Sequence, residues 1–416
     1  MVATGSVGDD SHCRARSDRL GRMSRTLRLA PRSGMRWRPL VACSLGVALV
    51  TTGCSSSGDD GDATPPSYER SDDVTARVLP QLAANGEDVE AADDAEWVVD
   101  ATVAGVDAGT SVSLVGRTDD GWSEVDEQET DGKGRVALTS PAAGDLHVVV
   151  GEGDDAIGTE ISTDDAPAAT FTDDFDDDTV DGEGATWTTR DQGYIGVRTC
   201  SRASADAAEV SDGVLRLSVL EDPARKGDEC QLPGRRKKFP FRLNGHVGTE
   251  DSVAFTYGFA AARIKTQAAR GQHAAFWMQA VGGQRSGGPK KGGAEIDVIE
   301  YFGDDHPEGG LTSFTYFLDK AGEKQTVGGW LPDPEELGDD WAEQFHVFSV
   351  EWTPDEYVFR IDGRVTQRLE GPTSGRPEFL ILSLLSSDYE LPRFDGELPE
   401  TMEVDWARVW ETGPKR

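Results

Sequence analysis

Short β-type runs dominate the second half of this 416-residue chain and limit the folds open to it. From about residue 168 onward, apolar residues either alternate with polar ones or form brief continuous runs, and helical periodicity is rare. Examples are Val214 to Val219, Phe345 to Trp352, Tyr357 to Ile361 and Phe379 to Leu385. Without crossover helices between them, strands over this length predict an all-β fold, a single large two-sheet sandwich over residues 168–416.

One hairpin can be placed within this sandwich. Thr353-Pro354-Asp355-Glu356 separates two of the apolar runs. Pro and Asp favour a turn at this point, so the flanking runs are predicted to pair as antiparallel strands.

A second group of short runs precedes the large sandwich. Val112 to Val115, Arg135 to Leu138 and His147 to Val150 are β-type, and Asp131-Gly132-Lys133-Gly134 is a turn signal between them. Regular spacing of this kind predicts a small β-sandwich over residues 95–165. The pattern resembles the immunoglobulin-like repeats of secreted bacterial enzymes, and we interpret the domain as a spacer.

The first 53 residues have the layout of an export signal. Arg36 and Arg38 precede an apolar run from Leu40 to Val50, which is too short to span a bilayer as a helix. The small residues before Cys54 resemble a bacterial lipobox, so we expect cleavage there and lipidation of Cys54. A free Cys54 after an ordinary signal is the alternative.

The lipid would anchor the protein at the outer face of the cell membrane, and without it the protein would be secreted. Residues 54–94 are rich in Asp, Gly, Ser and Pro, which predicts a disordered acidic tether.

The formal net charge of −35 excludes nucleic acid as a plausible partner, because its phosphates would be repelled. A neutral substrate suits such a surface better. Arg235-Arg236-Lys237-Lys238 is a basic exception. It is either a solvated loop or a grip for an anionic polysaccharide.

Five cysteines are present, and the signal would remove Cys13 and Cys43. With Cys54 lipidated, Cys200 and Cys230 remain. An even pair in an oxidising compartment favours a disulfide, and two buried thiols are the alternative.

Acidic residues concentrate in Gly292 to Tyr301, where Glu295, Asp297 and Glu300 interleave with Ile and Val. On a regular strand Glu295 and Asp297 share one face, whereas Glu300 points to the other. A one-residue bulge after Asp297 would move Glu300 to the face of the other two acids and avoid a buried unpaired charge.

Two Glu on one face provide the nucleophile and the acid/base of a retaining glycosidase. Mutual repulsion would keep one of them protonated. The structural alternative is a solvent-facing edge strand with incidental acids.

Several segments in order resemble glycoside hydrolase family 16. Besides the acidic strand, they are Tyr257 to Lys265, Ala275 to Met278, Phe345 to Pro354, Ile361 to Gly363 and Met402 to Trp410. The resemblance implies a β-jelly-roll sandwich, with Glu295 as nucleophile, Asp297 as its assistant and Glu300 as acid/base. The spacing is similar to the bulged, laminarinase-like branch. His273-Ala274 stands where that family commonly has Trp-Pro, and Gln279 follows Met278.

The resemblance also suggests binding residues. Trp277 could stack on a sugar ring, and His246 and His273 could bond sugar hydroxyls. A structural calcium, as in many members, would use Asp174 and Asp405. Catalysis would require no cofactor, and we expect a monomer.

The function that these features predict is endo-acting, retaining hydrolysis of β-glycosidic bonds in a polysaccharide. A transglycosylase that remodels a glycan and a non-catalytic glycan-binding lipoprotein are the alternatives. The presence of all three acids disfavours pure binding.

Overall fold

The computed structural model describes residues 64–413, except 120, 177–179 and 332–340. The signal segment, Cys13, Cys43, Cys54 and the first part of the predicted tether lie outside the described residues. Within the described part of the chain, no helix has the length and apolar character needed to cross a membrane.

Two sheets form a small sandwich at the start of the described chain. One sheet has the strand order β1-β8-β7-β4-β5 and the other β2-β3-β6. The strands are β1 (Glu69–Arg70), β2 (Val74–Ala83), β3 (Glu96–Val103), β4 (Ser111–Thr118), β5 (Gly121–Glu129), β6 (Arg135–Ser140), β7 (Asp145–Val150) and β8 (Ile157–Ser162). Leu114, Leu138 and Val148 are fully buried between the sheets, so alternating apolar residues supply the core.

The predicted tether ends earlier than its composition indicates. β1 and β2 lie within residues 54–94, and β2 pairs with β3 along most of its length. Apolar residues at Val74, Val78 and Leu79 are buried, which outweighs the polar composition around them. The small sandwich therefore begins before residue 95.

The large sandwich contains the remaining strands. They are β9 (Phe171–Asp173), β10 (Thr188–Thr189), β11 (Ser201–Ala203), β12 (Ala208–Ser211), β13 (Val214–Glu221), β14 (Glu229–Gln231), β15 (Lys238–Pro240), β16 (Arg242–Gly248), β17 (Ala254–Phe255), β18 (Gly258–Lys265), β19 (His273–Ala280), β20 (Glu295–Tyr301), β21 (Leu311–Leu318), β22 (Lys324–Trp330), β23 (His346–Trp352), β24 (Glu356–Ile361), β25 (Arg364–Glu370), β26 (Glu378–Leu385) and β27 (Glu400–Glu411).

Helices are short. A single α-helical turn, α1 (Pro289–Gly292), precedes β20. The 3-10 helices are Ala92–Asp94, Gly153–Asp155, Thr163–Asp165, Ala205–Ala207, Pro223–Arg225 and Leu391–Arg393.

The strands of the large sandwich form two layers that meet at β16. The layer that we call the site sheet runs β10-β16-β26-β19-β20-β21-β22. The layer that we call the support sheet runs β12-β13-β27-β18-β23-β24-β25. Phe276 and Met278 of the site sheet and Phe348 and Val350 of the support sheet are fully buried in one core. The all-β two-sheet fold is as predicted.

The predicted hairpin is present. β23 pairs antiparallel with β24, and Trp352 lies opposite Tyr357 across the turn. Thr353 N donates to Glu356 O at 3.0 Å, which closes the turn.

The small sandwich covers the outer face of the support sheet. Trp406 and Trp410 of β27 are buried in one apolar cluster with Leu79, Leu82 and Val98 of the small sandwich. The central strands β18, β23 and β27 of the support sheet are thus buried on both faces. This leaves the outer face of the site sheet as the face on which polar side chains gather.

Charged groups also join the two sandwiches. Arg77 Nη1 lies 2.6 Å from Glu351 Oε1, and Arg360 Nη2 lies 2.7 Å from Asp100 Oδ2. The Arg360 side chain is fully buried, so these pairs compensate charges that would otherwise be costly to bury. The small sandwich is therefore a packed part of the molecule and not a loosely tethered spacer.

Candidate active site

The entry into β20 depends on one glycine. Gly293 follows α1 with φ +82°, in the left-handed region. A Cβ at this position would lie 2.4 Å from the Cβ of Ala280, which is too close for any other residue. Gly293 therefore turns the chain directly into the acidic strand.

The predicted bulge lies between Asp297 and Glu300. Along β19, Glu295 pairs with Gln279, Asp297 with Trp277 and Glu300 with Ala275, and the register shifts between Asp297 and Ile299. Those partners occupy alternate positions of β19, so they share one face. All three acids consequently lie on the outer face of the site sheet, and Ile296 and Ile299 enter the core.

Glu295 remains partly exposed, with 24% of its side chain accessible. Gln279 Nε2 donates to Glu295 Oε2 at 3.3 Å, and Lys324 Nζ lies 3.9 Å from Oε1. An amide donor and an ammonium group both stabilise the ionised carboxylate. Glu295 thus has the surroundings of a nucleophile.

Glu300 has different neighbours. Thr312 Oγ1 donates to Glu300 Oε2 at 3.1 Å, and His273 Nε2 lies 3.7 Å from Oε1. Burial raises the pKa of Glu300, and the nearby carboxylates of Glu390 and Glu295 add to this rise, whereas His273 opposes it. A carboxyl group with a raised pKa is suited to donate a proton.

His273 lies between the carboxylates of Glu390 and Glu300. Its Nδ1 lies 2.7 Å from Glu390 Oε2, on the side of the ring opposite Glu300. Burial alone would lower the pKa of His273, but the carboxylates of Glu390 and Glu300 together raise it. Glu390 therefore favours the imidazolium form beside Glu300.

Asp297 lies between the two Glu residues and is 6% exposed. Burial raises its pKa well above the usual range, and the charges of Glu300 and Glu295 raise it further. The raised pKa favours the protonated form of Asp297, in which it can donate a hydrogen bond to a neighbouring carboxylate.

Trp277 and His246 lie on the same face. Trp277 Nε1 donates to Ser383 Oγ at 3.1 Å, and its ring stacks on His246 with a centroid distance of 5.9 Å. His246 is 1% exposed, and neither ring nitrogen has a hydrogen-bond partner among the described residues. The predicted residues Trp277, His246 and His273 thus assemble with the three acids.

Further aromatic rings extend from His273. Phe302 stacks on His273 at 5.2 Å, and Trp330 stacks on His306 at 4.7 Å. Tyr389 also stacks on His273, at 6.4 Å, and is 51% exposed. These rings provide apolar surface next to Glu300, of the kind that pairs with sugar rings.

Sequence reasoning missed several contributors to this face. Glu390, Lys324 and Arg190 come from distant segments, and neither spacing nor strand periodicity links them to the acidic strand. Gln279 was detectable, because it lies two residues after Trp277 and alternation places it on the same face.

The residues suggested for a calcium site lie elsewhere, next to the small sandwich. Asp405 forms a buried ion pair with Arg263, and Glu90 N donates to it at 3.1 Å. The Asp174 carboxylate accepts a backbone hydrogen bond from Ala92. Because a guanidinium already neutralises Asp405, this pair does not fit a calcium site, and the described residues contain no cluster of three or more potential metal ligands.

The predicted disulfide is present between Cys200 and Cys230, with Cα atoms 5.5 Å apart. It joins the loop before β11 to β14, and both cysteines pack with Phe239 and Leu391. Leu391 adjoins Glu390. The disulfide therefore supports one border of the outer face of the site sheet that carries Glu295, Asp297 and Glu300, which we call the acidic face.

A buried acid anchors the start of β20. Glu378 Oε1 accepts from Ala294 N at 3.1 Å and from the Ser374 hydroxyl. Burial raises the pKa of Glu378 to about 8. The group therefore holds the residue preceding Glu295 while staying uncharged at neutral pH.

A family model matches much of the region just described. The model of glycosyl hydrolases family 16 matches residues 206–408, which include β13 to β26 and most of β27. The match contains the acidic strand and most of the acidic face. Arg190 and the loop before β11 precede the matched residues.

Two curated relatives are similar over about half of this chain. The glucan endo-1,3-beta-glucosidase A1 of Niallia circulans is 26% identical over 49% of this chain and 30% of its own length. The endo-1,3-1,4-beta-glycanase EglC of Rhizobium meliloti is 26% identical over 55% of this chain and 45% of its own length. The chain thus spans less than half the length of either relative.

Solved structures are similar as well. The endo-beta-1,3-glucanase from Pyrococcus furiosus has 21% sequence identity and a TM-score of 0.46, over 58% of this chain and 94% of that chain. The model of glycosyl hydrolases family 16 thus matches just under half of the chain, and residues 206–408 are similar to that family.

Proposed function

We propose that the protein is an endo-acting glycosidase that hydrolyses β-glycosidic bonds in a polysaccharide with retention of anomeric configuration. The observation that carries this proposal is the shared face of Glu295, Asp297 and Glu300, created by the bulge. Both curated relatives are named as enzymes that act within β-linked glycans, which supports endo action.

In the first step, the Glu295 carboxylate attacks the anomeric carbon of the bound sugar. Protonated Glu300 gives its proton to the departing glycosidic oxygen, so the chain breaks and a glycosyl ester forms on Glu295. Protonated Asp297 donates a hydrogen bond to Glu295 and orients it.

In the second step, Glu300 is ionised and takes a proton from an incoming water molecule. As this proton is transferred, the water oxygen attacks the anomeric carbon and the ester bond to Glu295 breaks, which leaves Glu295 ionised and Glu300 protonated for the next cycle. Because the carbon is inverted twice, the product retains the configuration of the substrate.

There are two alternatives to hydrolysis. One differs from it in the second step, and the other involves neither chemical step. A transglycosylase would transfer the glycosyl group from Glu295 to another sugar. A pure binding protein would have no use for the different surroundings of Glu295 and Glu300, one beside Lys324 and the other beside His273. Hydrolysis uses both.

We also propose that the protein acts outside the cell, anchored by a lipid on Cys54. The support is the signal-like segment and the small residues before that cysteine. Cell fractionation tests it: the Cys54→Ala protein should leave the membrane fraction, and unchanged fractionation would contradict the anchor.

Replacing the nucleophile is the first test of the reaction. Glu295→Gln keeps the shape of the side chain but cannot attack the anomeric carbon, so turnover should fall by roughly 10³-fold or more. Release of reducing ends from soluble β-1,3-glucan and β-1,3-1,4-glucan measures it. Glu183→Gln, which removes an exposed acid elsewhere, is the matched control. Full activity of Glu295→Gln would exclude the assignment.

The contacts of His273 with Glu390 and Glu300 lead to a prediction about the pH dependence of activity. The His273 cation lowers the pKa of Glu300 more than the Glu390 charge raises it. Replacing both, in His273→Gln/Glu390→Gln, should therefore raise the pKa of Glu300 while leaving no buried charge unpaired.

The general acid must be protonated, so activity falls as pH rises through the pKa of Glu300. The alkaline limb of the kcat/KM profile should move to higher pH in the double variant. An alkaline limb that stays in place, or moves to lower pH, would show that His273 and Glu390 do not together lower the pKa of Glu300.

A further inference from the structure

Arg190 places a guanidinium group on the acidic face without a carboxylate partner. It lies over the rings of Trp277 and Phe379 at 5.4 and 5.0 Å, and its Nη2 donates to Gln279 Oε1 at 3.1 Å. Its Nη1 is buried and has no hydrogen-bond partner among the described residues, and Arg190 forms no ion pair with them. Arg190 therefore has an unused donor next to Trp277.

Arg198 is a second such cation. Its Nε is buried without a partner in the described structure, and its Nη1 reaches only Gln192 Oε1 at 3.4 Å. The positive charges of Arg190 and Arg198 both help to lower the pKa of His246, which places both near that ring. Neither arginine has a carboxylate within ion-pair distance in the described residues, in a chain with 76 acidic and 41 basic residues.

His246 completes the group. It is 1% exposed, and both of its ring nitrogens lack partners in the described part of the chain. Burial, together with the two guanidinium charges, keeps the ring neutral, so it offers one N–H donor. Unpaired buried donors and cations are costly unless a ligand binds to them.

A turn with two exposed arginines is linked to the loop that carries Arg198. The Cys200–Cys230 disulfide ties the loop that carries Arg198 to the β14–β15 hairpin. The turn of this hairpin contains the exposed residues Arg235 and Arg236, which form no ion pair with described residues. The disulfide therefore links a basic turn to the loop that carries Arg198.

We propose that the substrate is a β-glycan whose sugars carry an acidic substituent, a carboxylate or a sulfate ester, and that Arg190 and Arg198 bind this substituent beside Trp277 and His246. This inference rests on the proposed function, because it names the substrate class of the same face. Hydroxyl groups of a neutral sugar would satisfy the free donors but would leave both guanidinium groups without an ion-pair partner among the described residues.

Binding tests the proposal without relying on turnover. The probes are β-1,3-glucan and β-1,3-1,4-glucan, each in unmodified, carboxymethylated and sulfated form. Affinity for the full-length Glu295→Gln protein is measured by calorimetry at 50 and 500 mM NaCl. At least one charged form should bind about tenfold tighter than its neutral parent, and the difference should shrink at high salt.

Variants then locate the effect. Arg190→Gln and Arg198→Gln should each remove most of the preference for the charged form, and either variant alone suffices if the other fails to fold. Arg364→Gln, an exposed arginine on β25 of the support sheet, should leave the preference unchanged. A preference for the charged form that persists in both Arg190→Gln and Arg198→Gln would overturn the assignment.

The outcomes separate this inference from the proposed function. Equal affinity for charged and neutral forms, or affinity for neither, would overturn the inference even if the wild-type enzyme hydrolyses neutral glucan. Selective binding of a charged form with no hydrolysis of any probe by the wild-type protein would uphold the inference and contradict the proposed function.

Discussion

Pleated alternation lets only every second residue of a strand share a face, and the acidic strand escapes this limit by a single bulge. Without it, Glu300 would enter the core that Ile299 and Phe276 fill, where an unpaired carboxylate is costly. With it, three carboxyl groups lie side by side and influence one another. The raised pKa values of Asp297 and Glu300, and hence any division of labour among the acids, depend on this local irregularity.

The charges around the three acids are arranged unequally. Glu295 contacts Gln279 and Lys324, whereas Glu300 faces a histidine that Glu390 holds as a cation. Burial raises the pKa of Glu300, the more buried of the two. The overall negative charge of the chain gives no hint of the two arginines beside His246, since net charge says little about the field at a particular face.

The sequence allowed the sandwich, the β23–β24 hairpin and the bulge to be predicted, because alternation and turn residues are local signals. Glu390 and Arg190 escaped prediction, since only the folded topology brings their segments to the acidic strand. Asp405 was misread for a related reason: its partner Arg263 lies on a neighbouring strand, and nothing local distinguishes a counter-ion from a calcium ligand. The start of the small sandwich was missed because polar composition around β2 concealed its buried residues.

Retention of configuration is the claim on which the assignment of Glu295 and Glu300 most directly depends. Proton NMR of the reducing sugar first released from a β-linked glycan, recorded before mutarotation, measures it. The account predicts that the β-anomer forms first, because two displacements at one carbon restore its configuration. An initial α-anomer would show a single displacement by water and would contradict a covalent intermediate on Glu295.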